Sequence, residues 1–152
     1  MITIGWREWV ALPELGIPSI KAKVDTGART SSLHTAEIEP FSEGGRERVR
    51  FRVHPLQETT SVEIVCEADV VDFRRITNSG GQSEERYVIR TPIRVGSEIW
   101  PIEISLANRE TMTFRMLLGR TALRGHLLID AGRSHMTGLR HHHAYDDVEN
   151  TR

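Results

Sequence analysis

Apolar residues recur along this chain mostly at every second position and in short bursts, the pattern of strands that bury one face. Candidate strands fall at 6–12, 19–24, 35–41, 46–54, 62–73, 86–95, 99–106 and 114–118. Turn chemistry separates them: prolines and glycine at 13–18, "SEGG" at 42–45, "TNSGGQ" at 77–82, "VGS" at 95–97 and "ANRE" at 107–110. A helix is expected only at 120–124, directly after Gly119, with a last short strand at 127–129. The prediction is an all-β chain whose sheet closes fully or partly on itself, with one short helix near its C-terminal end. The stretch 140–152, "RHHHAYDDVENTR", has little apolar content and reads as an exposed His-rich tail, which leaves 1–139 as one domain.

Composition narrows this without redirecting it. A chain of 152 residues with 38% hydrophobic and 27% charged positions supports one compact core. No stretch has the length of a membrane span, and "MITIGWREWV" lacks the basic start and apolar centre of a secretory signal, so a cytoplasmic address is expected. Cys66 stands alone, which excludes an internal disulfide framework. Within the apolar run "VEIVCEADVV" it reads as a buried small hydrophobe rather than a nucleophile. A formal charge of −1 gives no overall basic field, so neither a membrane surface nor direct nucleic-acid contact is expected. The basic residues are unusual in kind, since 18 of the 20 are Arg. Arg grips carboxylates and phosphates at two points, which Lys cannot copy.

The chemistry concentrates in "KVDTGARTSSLH" at 23–34. An alternating strand runs into Asp25-Thr26-Gly27, where glycine opens conformations closed to other residues and the Thr hydroxyl bonds locally. Such a turn holds a carboxylate rigidly at a strand end. Three residues alone also suit an ordinary turn. About ninety residues later comes "MLLGRTALRG", two apolar residues, a glycine and the short helix.

Together these two stretches resemble the retropepsin-like aspartic proteases, whose monomer carries an Asp-Thr-Gly-Ala loop and a later apolar-apolar-Gly followed by Arg and a helix. The matches are Asp25-Thr26-Gly27-Ala28 and Leu117-Leu118-Gly119-Arg120, and the likeness covers 21–129. Gly80 and Gly81 sit where such proteins place a flap hairpin over the cleft. More narrowly, "AKVDTGARTSSLH" with "RMLLGRTALRGHLLID" is similar to the RimB-type, RimK-associated family, often labelled ATP-dependent zinc proteases. No His-Glu-x-x-His and no Gly-x-x-x-x-Gly-Lys-Ser/Thr occurs, so no zinc, ATP or other cofactor is expected.

The resemblance implies a retropepsin-like barrel and an aspartic peptidase with one Asp-Thr-Gly per chain, completed by homodimerisation. A second carboxylate is needed, and the nearest candidate within the chain, "IDAG" at 129–132, lacks the Thr and lies beyond the helix, so Asp130 reads as structural. In the family Thr26 would lock the two loops across the two-fold axis, Gly27 would let substrate backbone pass, and Ala28 would leave room beside it. Retroviral relatives place an acid after Asp-Thr-Gly-Ala that pairs with the Arg following the later glycine, whereas this chain has Arg29. Arg29 and Arg120 without that acid would favour anionic substrates. The family is linked to trimming oligo-glutamate tails that a RimK-type ATP-grasp ligase adds to a ribosomal protein. Arg75, Gly80 and Gly81 are further substrate-binding candidates, and Lys21, Lys23, Arg74, Arg86 and Arg90 would extend the positive surface.

Two other readings stand beside this one. A non-catalytic dimeric module on the same fold would bind acidic tails or the ligase without cutting. A zinc hydrolase would draw on His141, His142 and His143 with Asp146 and Asp147, although adjacent histidines seldom point at one centre. His34 lies close to Asp25 in sequence, but aspartic chemistry requires no histidine base.

Overall fold

The computed structural model describes residues 1–56, 59–77, 80–108, 114–138 and 145. Eleven strands and one short helix follow in chain order: β1 (Ile2–Ile4), β2 (Arg7–Leu12), β3 (Ile17–Val24), β4 (Ser31–His34), β5 (Ala36–Glu43), β6 (Arg46–Val53), β7 (Ile64–Thr77), β8 (Ser83–Val95), β9 (Glu98–Ala107), β10 (Met116–Leu118), α1 (Arg120–Leu123) and β11 (Leu127–Ile129). The alternation located most of these. Two strands it did not single out are β1 and β4. β1 is only Ile-Thr-Ile, too short for a periodic signal, and is held by parallel pairing with β11. β4 is buried at all four positions, so it shows no alternation.

One sheet runs in the order β2-β3-β10-β4-β9-β8-β7-β6-β5, and a single pairing of Ala11 with Arg94 links β2 back to β8. Six strands thus form a ring, and β7, β6 and β5 extend from it. The ring encloses a core that includes Leu12, Ile20, Leu33, Ile89, Ile104 and Met116, each essentially without exposed surface. Pro92 and Pro101 face each other across β8 and β9. Neither can donate to the other, which suits the non-hydrogen-bonded kind of antiparallel pair.

On β6, "RERVRFRV" turns Val49, Phe51 and Val53 inward and its arginines outward. The arginines meet acids on neighbouring strands: Arg48 on Asp69 at 2.8 Å, Arg50 on Glu67 at 2.7 Å, and Arg52 on Glu37 at 2.5 Å and on Glu63. These arginines are therefore already paired on a sheet face, where each pair contributes at most about 1 kcal/mol.

The two ends of the domain are knit together. Glu8, fully buried, accepts from the backbone of Gly5 at 2.7 Å, Met136 at 2.7 Å and Thr137 at 3.0 Å, and from the Thr137 hydroxyl at 3.0 Å. Burial opposes its charge, but these bonds outweigh burial and hold the carboxyl below its ordinary value. Exposure was expected throughout 140–152, and Tyr145 corrects it at one position. Its ring is buried against Leu56 and Val62, and its hydroxyl donates to the Ser19 carbonyl and accepts from the Ser19 amide at 3.2 Å. The histidines 141–143 and Asp146 and Asp147 lie outside the described residues.

Candidate active site

Asp25 follows the last residue of β3 and is held from two directions. Its amide donates to the Leu118 carbonyl at 2.9 Å, which ties the loop to the end of β10. One carboxylate oxygen accepts from the Gly27 amide at 3.1 Å, and the Ala28 amide closes the turn onto the Asp25 carbonyl at 3.1 Å. The carboxylate is thus oriented by its own loop, as Asp-Thr-Gly chemistry permits.

The second glycine segment locks against this loop. Arg120 donates from its amide to the Ala28 carbonyl at 2.8 Å, and Thr121 reaches the Arg29 carbonyl through its hydroxyl at 2.7 Å. The Gly119 amide donates to the Ser31 hydroxyl at 3.0 Å. Parallel pairing of β10 with β3 and antiparallel pairing with β4 place the two segments side by side although some ninety residues separate them. The spacing seen in the sequence is thereby converted into contact.

Above the loop stands the β7–β8 hairpin, in register down to Thr77 opposite Ser83. It is longer than the alternation indicated, because exposed polar residues continue both strands beyond 73 and before 86. At its tip Gly81 adopts a φ of +84°, open to glycine at little cost. Asn78 and Ser79 lie outside the described residues.

A cleft of about 610 Å³ lies between hairpin and loop. Its lining includes Asp25, Gly27, Ala28, Arg29 and Arg120 from the two loop segments, and Arg75, Ile76, Thr77 and Gly80 from the hairpin. Seven of the nine site candidates therefore meet in one place. Thr26 and Gly81 do not line it: Thr26 is exposed at the apex of the loop. Arg120 also spends one N–H on the Gly27 carbonyl at 3.2 Å, so part of its guanidinium serves the loop itself.

Of the remaining basic candidates, Arg74 is paired with Asp72 at 2.9 Å and Glu103 at 3.0 Å, and Lys21 lies over the Trp9 ring. Lys23 and Arg90 are exposed and do not line the cleft. Arg86 differs from all of these. It is buried, lines the cleft and donates from one terminal nitrogen to the Ser32 and Ser105 hydroxyls at 3.2 and 3.3 Å. The sequence marked it only as one more strand arginine. Its inward position on β8 was the available signal, and the hydroxyls that accept it come from β4 and β9.

Other chemical groups are accounted for structurally. Asp130 accepts from the Gly132 amide at 3.0 Å and lies 3.5 Å from Arg133 in an ordinary turn. Burial pushes the Cys66 thiol up to about 12, and its sulfur donates to the Leu15 carbonyl at 3.3 Å, leaving no thiolate for nucleophilic work. Among the described residues no group of three His, Cys, Asp or Glu side chains is placed to hold a metal ion.

Residues 3–139 match the family described as RimB-like, retropepsin-like aspartic endopeptidase RimB. Similar sequences include a probable α-L-glutamate ligase of Desulfotalea psychrophila, 51% identical over 84% of this chain and 27% of that protein. One from Shewanella pealeana with the same description is 47% identical over 89% of this chain and 30% of its own length. The chain thus spans less than a third of these relatives. Among solved structures, a Legionella pneumophila protein of unknown function superposes with a TM-score of 0.73 at 26% identity, covering 90% of this chain and 97% of that one.

Proposed function

Because the chain belongs to the RimB-like family of retropepsin-like aspartic endopeptidases, we propose that it hydrolyses acidic peptides as a homodimer, with Asp25 of each copy facing one catalytic water. The observation that carries this reading is the oriented Asp25 carboxylate at a cleft covered by a hairpin. Among the described residues one chain offers a single carboxylate in that cleft, and hydrolysis of an amide by this chemistry takes two. A two-fold axis at the exposed Thr26 apex supplies the second without a second motif.

In that arrangement the ionised Asp25 removes a proton from water as its oxygen attacks the scissile carbonyl carbon. The partner's Asp25, protonated, donates a hydrogen bond to the carbonyl oxygen. Collapse of the tetrahedral adduct breaks the C–N bond, and the proton passes to the leaving amine, giving a free carboxyl and a free amine. Arg29, Arg75 and Arg120 make the cleft favourable to anionic side chains.

The substrates we infer are oligo-glutamate tails, such as those a RimK-type ligase adds to a ribosomal protein. Relatives named as probable α-L-glutamate ligases, which contain a stretch similar to this domain, support that pairing of tail synthesis with tail removal. The test is cleavage of a peptide ending in several glutamates by wild type and Asp25→Asn, each with and without a chelator. The expected result is a loss of at least about a thousandfold in the variant, the scale of a missing acid–base group, and no effect of chelator. Equal cleavage by both proteins contradicts the reading. Binding without cleavage by the wild type would favour the non-catalytic module.

A further inference from the structure

Arg86 is the one arginine of the cleft whose guanidinium is both buried and clamped. Its side chain is 6% exposed, against a half-exposed Glu84 on the same strand. One terminal nitrogen is held by Ser32 of β4 and Ser105 of β9, whose hydroxyls also bond each other at 2.9 Å. The Nε edge faces the Glu84 carboxylate at 2.5 Å. Among the described residues no partner is found for the other terminal nitrogen. Two hydroxyls thus fix the plane of the fork, and only one carboxylate, supplied by a mobile-length side chain with water access, balances its charge.

We propose that Arg86, which lines the cleft, is the specificity residue that reads a substrate carboxylate, in competition with Glu84, which holds its Nε edge from outside the cleft lining. The inference rests on the peptidase reading only for the identity of the site. A glutamate side chain from an acidic peptide carries the same carboxylate as Glu84, so it pairs with the remaining terminal nitrogen and competes with Glu84 for the charge of the guanidinium. A glutamate carboxylate adds a charge-assisted bond to the buried cation, whereas a neutral glutamine offers one acceptor and no charge. Arg29 is exposed and Arg120 is partly committed to the Gly27 carbonyl, so neither discriminates as sharply.

The test compares a peptide ending in several glutamates with its all-glutamine counterpart, by kcat/KM with active protein and by fluorescence anisotropy with Asp25→Asn. The account expects a preference for the glutamate peptide of about tenfold or more, the scale of one charge-assisted contact, falling towards one in Arg86→Met. Glu84→Gln, at a half-exposed position, guards against a misfolded Arg86 variant. It is expected to lower KM and Kd for the glutamate peptide severalfold, with kcat little changed. A preference that survives Arg86→Met overturns the inference, as does a glutamate-peptide affinity that Glu84→Gln leaves unchanged. A wild type that cuts neither peptide, while binding still discriminates through Arg86, overturns the peptidase reading and leaves this assignment standing.

Discussion

Gly119 has no room for a side chain. A Cβ built there would lie 2.6 Å from the Thr30 carbonyl carbon and 2.9 Å from both the Arg29 oxygen and the Ser31 nitrogen. These are backbone atoms, so nothing moves aside cheaply. The close approach is what lets the Gly119 amide reach the Ser31 hydroxyl and the Arg120 amide reach Ala28. Gly119→Ala is therefore expected to cost about 3 kcal/mol, the upper range for overpacking, and to weaken cleavage beyond that loss by shifting the Asp25 loop. Denaturant unfolding alongside an activity assay at a temperature where the variant is folded reads both effects. An unchanged midpoint with full activity would show that the two segments are not packed as described.

At the scale of elements, the sequence was most informative where one face of a strand meets water. The alternation of β6 located its core residues directly, and the turn glycines marked the hairpins. It was least informative where both faces are covered. Ser31 and Ser32 in β4 and Arg86 in β8 are polar yet buried, and their burial becomes reasonable only once Gly119, Ser105 and Glu84 are known as partners. The Asp25 loop could be read because its signal is a local motif. The buried arginine could not, because the hydroxyls that hold it come from two other strands, β4 and β9.

Glu8 was hidden for the same reason, since its donors lie mainly near residue 136. This carboxylate binds β2 to the segment after β11, and Glu8→Gln places an amide N–H against donors. The expected cost is about 2–3 kcal/mol at neutral pH. The folded protein holds the Glu8 carboxyl below its ordinary value of 4.5, so its contribution is fully present above that pH and is lost as pH falls through the lower folded value. The difference in stability between wild type and Glu8→Gln should accordingly shrink below about pH 4.5. Equal differences at pH 7 and at pH 3 would mean the carboxylate charge is not what ties these elements.

At the scale of the whole molecule, the ring of six strands carries the Asp25 loop on one rim and the hairpin above it. Two groups of arginines stand out. Those on β6 are matched by acids such as Asp69 and Glu67, and four others line the cleft. The near-zero formal charge therefore conceals a locally basic cleft.

The proposed aspartic site takes its second carboxylate from a second chain. Its most direct test mixes wild type with Asp25→Asn at constant total protein, allows the chains to exchange, and follows cleavage of a glutamate-ended peptide. If each site takes one Asp25 from each chain, activity falls as the square of the wild-type fraction, so an equal mixture keeps about a quarter of full activity. If each chain works alone, activity falls linearly and the mixture keeps about half, which would contradict the shared site.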